Sequence, residues 1–410
     1  MILSSLDLAN AIKEKKVSVP EAVSSCLSAI ESSMGRSPGI NAFLKINPDL
    51  ALSRAEEIQK KIDRGDKLSR LAGVPIAVKD NISVMGFEMS CASRMLEGFM
   101  PIYNATVIDK LEKAGLIVIG KLNMDEFGMG GSSETGAFGA VRNPWDLSRV
   151  AGGSSGGSAA AIANGDVGLT LGSDTGGSIR QPASFCGVSG IKPTYGAVSR
   201  YGLVAYASSL EQIGPLAGNI DDAAALLEII SGGDKRDATC LLQKPFDFSA
   251  GLKTGLKGLK VGLPVNYFDK GIDESVKKLV LAAAKDFEDA GAELRHFEMP
   301  LTEYMVSAYY IIASAEASSN LSRYDGVKYG YRSMASSSLN ESCRKTRNEA
   351  FGLEVKRRIM LGSFVLSSGY YDAYYKKASD VRTLIKHEYK KLFEKFDIIL
   401  SPVEIGRAHV

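Results

Sequence analysis

The chain has 410 residues, 45% hydrophobic and 23% charged, with 49 basic side chains against 47 acidic ones. That balance suits a folded protein with a large core, and it excludes a disordered or collagenous chain and one whose surface is strongly basic for nucleic acid. Five scattered cysteines, odd in number and without a CxxC pair, argue against a disulfide framework or a structural zinc and point to a reduced, cytoplasmic setting.

The opening MILSSLDLANAIKEKK contains no uninterrupted apolar core, so no signal peptide is expected there. No run of about 18 apolar residues occurs anywhere, so no membrane span is expected. Residues 1–65 read as a helical wrap. In it SVPE (18–21) forms a capping box, with Ser18 as N-cap and Glu21 reaching back, ahead of an apolar stripe of Val23, Cys26, Leu27 and Ile30. From Leu71 the texture changes. AGVPIAVKDNI is a buried strand ending in Lys79. TVIDKLEKAGLIVIGKLN reads as helix, a stop at Gly115, then a strand over 116–120. DESVKKLVLAAAKDFEDAGAELRHFEMP repeats that grammar, with a stripe of Val276, Leu279, Val280, Ala283 and Phe287 before Gly291. Residues 231–257 read as a loop, 303–395 as mostly helical, and FDIILSPV (396–403) as one more core strand. Alternating helix and strand predicts an α/β sheet covered by helices.

The chemistry concentrates in residues 128–178. GMGGSSETGAFG and AGGSSGGSAAAIANGDVGLTLGSDTGGS place two Gly/Ser-rich loops around an Ala-rich helix and a short strand. Glycines allow backbone N–H groups to approach a ligand and gather into an anion-binding concavity. A phosphate-binding loop is the rival reading, but GGSSGGSA lacks the Lys-Ser/Thr ending and no GxGxxG follows a strand there. A flexible linker is the third, against which stand the interleaved Ala, Ile and Leu. Only three histidines occur, His296, His387 and His409, and none lies in these loops. A serine nucleophile here would need a base other than imidazole.

Residues 152–183, with GGSSGG followed by D-x-G-G-S-I-R-Q-P, resemble the amidase signature family. Lys79 matches that signature's separate lysine, with Ser154 lying 24 residues and Lys79 lying 99 residues before Ser178. The resemblance runs from LDLANAIKEKKVS to FDIILSPV, a single amidase domain over 1–403, divided as 1–65, a signature core 66–230 and a remainder 231–403. It implies a central mixed β-sheet covered on both faces by helices. It implies a Ser-cisSer-Lys triad in which Ser178 attacks, Ser154 relays the proton through a cis peptide, and Lys79 is the base. A lysine following VPIAV is suited to that task, since burial disfavours its charged form; by residue type alone it reads first as a surface lysine ending a strand. The amides of Thr175, Gly176, Gly177 and Ser178 form the implied oxyanion cradle. Asp174 and Arg180 hold the loop from behind, or form a plain structural salt bridge.

NMDEFGMGGSSETGAFG, VRNPWD, YGLVAYASSLEQIGP, RYDGVKYGYR and EVKRRIMLGSF resemble the branch of the family that serves tRNA-dependent amidotransferases as their glutaminase. That branch implies glutamine as substrate, with Arg358 on its carboxylate and Tyr309 as a second contact; Tyr310 and Arg357 are their competitors in register. It implies partner B and C subunits, the former handling tRNA, ATP and Mg, with no cofactor in this chain. The alternatives are a stand-alone amidase for a small or aryl amide, which keeps the triad but has no need of Arg358 or Tyr309, a non-catalytic scaffold, and a nucleotide binder. The closing EIGRAHV (404–410) matches nothing in the family, whose chains continue past SPV. It reads as a non-native tail on a truncated gene. The acidic residue expected near the glutamine ammonium then lies beyond the chain, which leaves the chain as written open to inactivity.

Overall fold

A computed structural model describes residues 4–241, 246–252, 254–269, 271–334 and 337–404. Residues 405–410 of the expected non-native tail, His409 included, lie outside them. The chain divides into two units: one takes the chain up to Ser249 together with Asn320–Arg357, the other Ala250–Ser319 and the chain from Arg358.

The first unit is built on a six-stranded sheet. Its strands are β1 (Phe43–Ile46), β2 (Pro75–Lys79), β3 (Ile117–Leu122), β6 (Leu169–Asp174), β7 (Ser189–Gly190) and β8 (Gln212–Ala217), while β4 (Arg142–Asn143) and β5 (Asp146–Val150) form a separate hairpin. The order is β1-β3-β2-β6-β8-β7. β3, β2 and β6 run parallel, and β1, β8 and β7 pair antiparallel to their neighbours. The sheet is therefore mixed, as expected. Side chains alternate across a strand, and the alternation sorts them into two cores. Ile76, Val78 and Val118 join one cluster with the helices Thr106–Ala114 and Ile220–Ile230; Ala77, Ile117 and Ile119 join another with Val19–Met34, Pro48–Asp63 and Gly156–Ala163. Both faces are covered. Lys79, two residues after Ala77, shares the second face, where the helix following GGSS packs.

Local signals read from sequence recur in the structure. Ser18 and Glu21 close a reciprocal capping box. Gly115 ends its helix at φ 88° and β3 follows. β1 was not expected within the helical wrap: FLKI is only four residues and shows no clear alternation.

The second unit holds a parallel sheet of β9 (Lys260–Pro264), β10 (Glu293–Phe297) and β11 (Ile398–Ile399), in the order β10-β9-β11. The expected core strand 396–403 is reduced to the two half-buried residues of β11. On the helix Glu274–Asp289, Leu279 is 72% exposed and Ala284 is buried. The real stripe is Val276, Val280, Ala283, Ala284 and Phe287, because residues 276 and 280 lie one above the other while 279 falls to the side. The expected loop 231–257 contains a short helix, Phe248–Gly251. No helix among the described residues is long and apolar enough to cross a membrane.

Candidate active site

Lys79 ends β2 with its side chain fully buried. Its Nζ lies 2.7 Å from Ser154 Oγ, 2.9 Å from Ser155 Oγ and 3.3 Å from the Ser173 carbonyl oxygen. Burial pulls its pKa down from 10.5 to about 7, against the charges of Asp125 and Asp174, which hold it up. With the amine neutral, these hydrogen bonds admit one direction of proton flow. A neutral amine has two N–H groups and one lone pair. The Ser173 carbonyl is acceptor-only and takes one N–H. Ser155 Oγ donates its own proton to that carbonyl at 3.1 Å, so it accepts the other N–H. The lone pair is left facing Ser154, ready to receive a proton from its hydroxyl. Lys121, the other fully buried lysine, is different: it pairs with Asp80 at 3.5 Å and donates to the Ile82 carbonyl. A carboxylate partner suits a structural cation, whereas Lys79 is surrounded by neutral oxygens.

Ser154 sits just ahead of the helix Gly156–Ala163, and the Gly153–Ser154 peptide is cis. Ser178 lies in the turn between β6 and the helix Arg180–Cys186, 8% exposed. The backbone of the two loops is joined by the Ser155 N–H, which donates to the Ser178 carbonyl at 3.1 Å. No side-chain hydrogen bond links Ser178 Oγ to Ser154 among the described residues, so the structure brings Lys79 and Ser154 together and leaves the Ser178 hydroxyl free.

Asp174, fully buried, organises the turn that carries Ser178. It accepts from the Gly177 N–H (2.7 Å) and the Ile179 N–H (3.0 Å), and Arg180 forks onto it through Nε (3.0 Å) and Nη2 (2.9 Å). Burial would raise its pKa; Arg180 and these amides outweigh that and hold it below the ordinary carboxylate value. One expected oxyanion donor is therefore corrected. The Gly177 N–H is engaged by Asp174, while those of Thr175, Gly176 and Ser178 have no hydrogen-bond partner among the described residues. Gly177 adopts φ 134°, a region open to glycine but not to a residue with a Cβ. The far end of the same helix is tied to the β4–β5 turn, where the Trp145 indole N–H donates to the Cys186 carbonyl at 2.8 Å.

A family model described as Amidase matches residues 21–410. The chain belongs to the amidase family. Among curated relatives, the glutamyl-tRNA(Gln) amidotransferase A subunit of Lachnoclostridium phytofermentans is 55% identical over 401 residues, covering 98% of this chain and 81% of that one. Among solved structures, the glutamyl-tRNA(Gln) amidotransferase A subunit of Thermotoga maritima matches with a TM-score of 0.80 and 41% identity, covering 100% of this chain and 80% of that one. A bacterial aryl acylamidase of the amidase signature family matches with a TM-score of 0.86 and 25% identity, over 100% of this chain and 82% of that one.

The two residues that the amidase resemblance assigns to glutamine lie in the second unit. Tyr309 is half-buried on the helix Thr302–Asn320. Arg358, on the helix Leu353–Val365, is 7% exposed, and its guanidinium lies 5.1 Å from the centre of the Tyr310 ring. The competitor Arg357 is exposed and pairs with Glu354 at 3.0 Å. Burial thus separates the two arginines that register left open. Sequence reasoning missed Ser155, although it stands in the quoted GGSSGG, and missed Asp125, whose partners Ser133 and Thr135 lie 8 and 10 residues on, and Ser133, whose partners Gly152 and Gly156 lie 19 and 23 residues on; neither pattern gives a local signal.

Proposed function

We propose that this amidase is the glutaminase subunit of a tRNA-dependent amidotransferase, hydrolysing glutamine and supplying ammonia for the conversion of Glu-tRNA(Gln) to Gln-tRNA(Gln). The observation that carries the chemistry is the fully buried Lys79 amine, 2.7 Å from Ser154 Oγ, whose pKa burial pulls down to about 7 so that it can serve as a base. The relatives named as glutamyl-tRNA(Gln) amidotransferases support the choice of substrate.

In this mechanism Ser178 Oγ attacks the side-chain amide carbon of glutamine. Its proton passes to Ser154 Oγ while the Ser154 proton moves to the Lys79 lone pair. The carbonyl oxygen becomes an oxyanion held by the amides of Thr175, Gly176 and Ser178. Losing one such donor costs about 2.7–4 kcal/mol of transition-state stabilisation. The proton returns along the same path to the leaving nitrogen, ammonia departs, and the acyl group remains on Ser178. Water, deprotonated by the same relay, then releases glutamate. Arg358 is assigned to the α-carboxylate, since a guanidinium binds it with two parallel bonds, and Tyr309 to a second substrate contact. Ammonia passes to the B subunit, where ATP and Mg activate the misacylated tRNA, and the C subunit joins the two.

Likeness to an aryl acylamidase keeps a second reading in play, a stand-alone amidase for small or aryl amides. Ammonia release from glutamine by the chain co-expressed with the B and C subunits separates them. Glutamine turnover lost in Ser178→Ala, and a raised KM for glutamine in Arg358→Ala with Ser178 still labelled by a serine-reactive probe, are the expected results. Turnover of an aryl amide but not of glutamine would refute the assignment.

A further inference from the structure

The loop that carries Ser154 has little with which to hold itself, since residues 152, 153, 156 and 157 are all glycine. The Gln181 side chain accepts the Gly153 N–H at 3.1 Å and the Ser155 N–H donates to the Ser178 carbonyl; the rest of the loop's restraint comes from the segment 123–136. Asp125 is fully buried there. One carboxylate oxygen accepts from the Ser133 N–H at 2.9 Å; the other accepts from the Thr135 hydroxyl at 2.9 Å and the Thr135 N–H at 3.3 Å. The carboxylate is pressed between two backbones. A Cβ on Gly153 would stand 2.1 Å from Asp125 Oδ2, and one on Gly130 would stand 2.3 Å from its Cγ. Both positions are glycine because the acid occupies that space.

Held this way, Ser133 donates its hydroxyl to the Gly152 carbonyl at 2.9 Å and accepts the Gly156 N–H at 3.0 Å. It brackets Gly153–Ser154 from both sides. The Asp125 N–H adds a bond to the Ser154 carbonyl at 3.3 Å. Asp125 is also the foremost of the groups whose charge favours the protonated form of Lys79, ahead of Asp174, Cys91 and Glu211.

We propose that Asp125 is a positioning residue of the triad: it fixes Ser154 through Ser133, and its negative charge acts on the Lys79 amine. The inference rests on Lys79, Ser154 and Ser178 as the reacting set. It is tested by the pH dependence of Ser178 phosphonylation by a fluorophosphonate, followed by intact mass on the full chain with its partner subunits, so that glutamine binding plays no part in the readout.

Lys79 must be neutral to accept a proton, so the rate rises with pH through its pKa. Removing the Asp125 charge, which favours the protonated Lys79, lowers that pKa, so in Asp125→Asn the rising limb moves to lower pH. The amide also sets an N–H₂ against backbone donors, and the rate on the plateau falls about tenfold or more, as expected for a displaced relay hydroxyl. Ser133→Ala removes the bracket but not the charge, so its plateau falls while its limb stays at the wild-type pH. A purely structural Asp125 would lower the plateau without moving the limb. An Asp125→Asn plateau within about twofold of wild type, or an unmoved limb, overturns the proposal. A wild type that is not labelled at all refutes the assignment of Ser178 and this inference with it; a labelled wild type beside an indifferent Asp125→Asn refutes this inference alone.

Discussion

Replacing Lys79 with methionine should abolish activity and make the protein more stable. Bringing the pKa of the amine from 10.5 to about 7 in the fold penalises the native state at pH values below 10.5, fully below about 7 and progressively less above it. At pH 7 that penalty is about 4 kcal/mol, at about 1.4 kcal/mol per pH unit. The unfolded state binds more protons between pH 7 and 10.5, so wild-type stability rises with pH across that window and the penalty falls to about 2 kcal/mol at pH 9. Methionine matches the length of the aliphatic stem and carries no charge. Against this, Ser154 Oγ loses its hydrogen bond to the amine, a cost of about 2 kcal/mol, whereas Ser155 keeps its bonds to Ser173. The net expectation is a variant more stable than wild type by about 2 kcal/mol at pH 7 and about equal to it at pH 9. Urea denaturation followed by far-ultraviolet circular dichroism at the two pH values measures the difference, and other titrating groups cancel between variant and parent. A variant no more stable at pH 7, or an advantage that does not shrink by pH 9, would show that Lys79 is charged in the fold and cannot serve as the base.

Two further outcomes follow from the same geometry. Gly153→Ala places a Cβ 2.1 Å from Asp125 Oδ2 and 2.8 Å from the Ser132 and Ser133 nitrogens, so it should lower stability by about 1–3 kcal/mol and suppress Ser178 labelling, whereas alanine at Gly131, where the nearest atom is 3.5 Å away, should leave stability nearly unchanged; equal denaturation midpoints for the two would contradict the packing. Burial pushes the Glu126 carboxyl up from 4.5 to about 7, while the Ser93 hydroxyl and the Gly352 N–H hold it down. The native state therefore keeps a proton that the unfolded chain loses, and wild-type stability falls as pH rises from 4.5 through about 7. In Glu126→Gln that fall should flatten, which denaturation midpoints at pH 5 and pH 8 would reveal.

Lys79, Ser154 and Ser178 were picked out in the sequence by the resemblance of GGSSGG, D-x-G-G-S and a separate lysine to the amidase signature; Gly/Ser composition alone left a phosphate loop and a linker open, and Lys79 alone read as a surface lysine. What supports the triad was not legible. Asp125 lies in NMDEFG, where nothing marks it apart from Glu126, and its role depends on Ser133 and Gly153 reaching it through tertiary contact. The oxyanion cradle was read one donor too large because a tight turn does not announce which of its amides an acid will take; Asp174 takes that of Gly177. Periodicity read the fold well where helices lie against the central sheet. It failed for Leu279, whose apolar side chain faces solvent, and for β11, where an apolar run is long but its paired portion is two residues.

The single tryptophan has a practical consequence. Trp145 is 74% exposed yet bonded through its indole N–H to the end of the short helix that begins two residues after Ser178. At that exposure its emission should already be that of a water-exposed ring, so global unfolding should scarcely change its colour. Quencher access and anisotropy should instead follow the seating of that one helix, which makes the native fluorophore an optical gauge of the mount of Ser178, readable without a label.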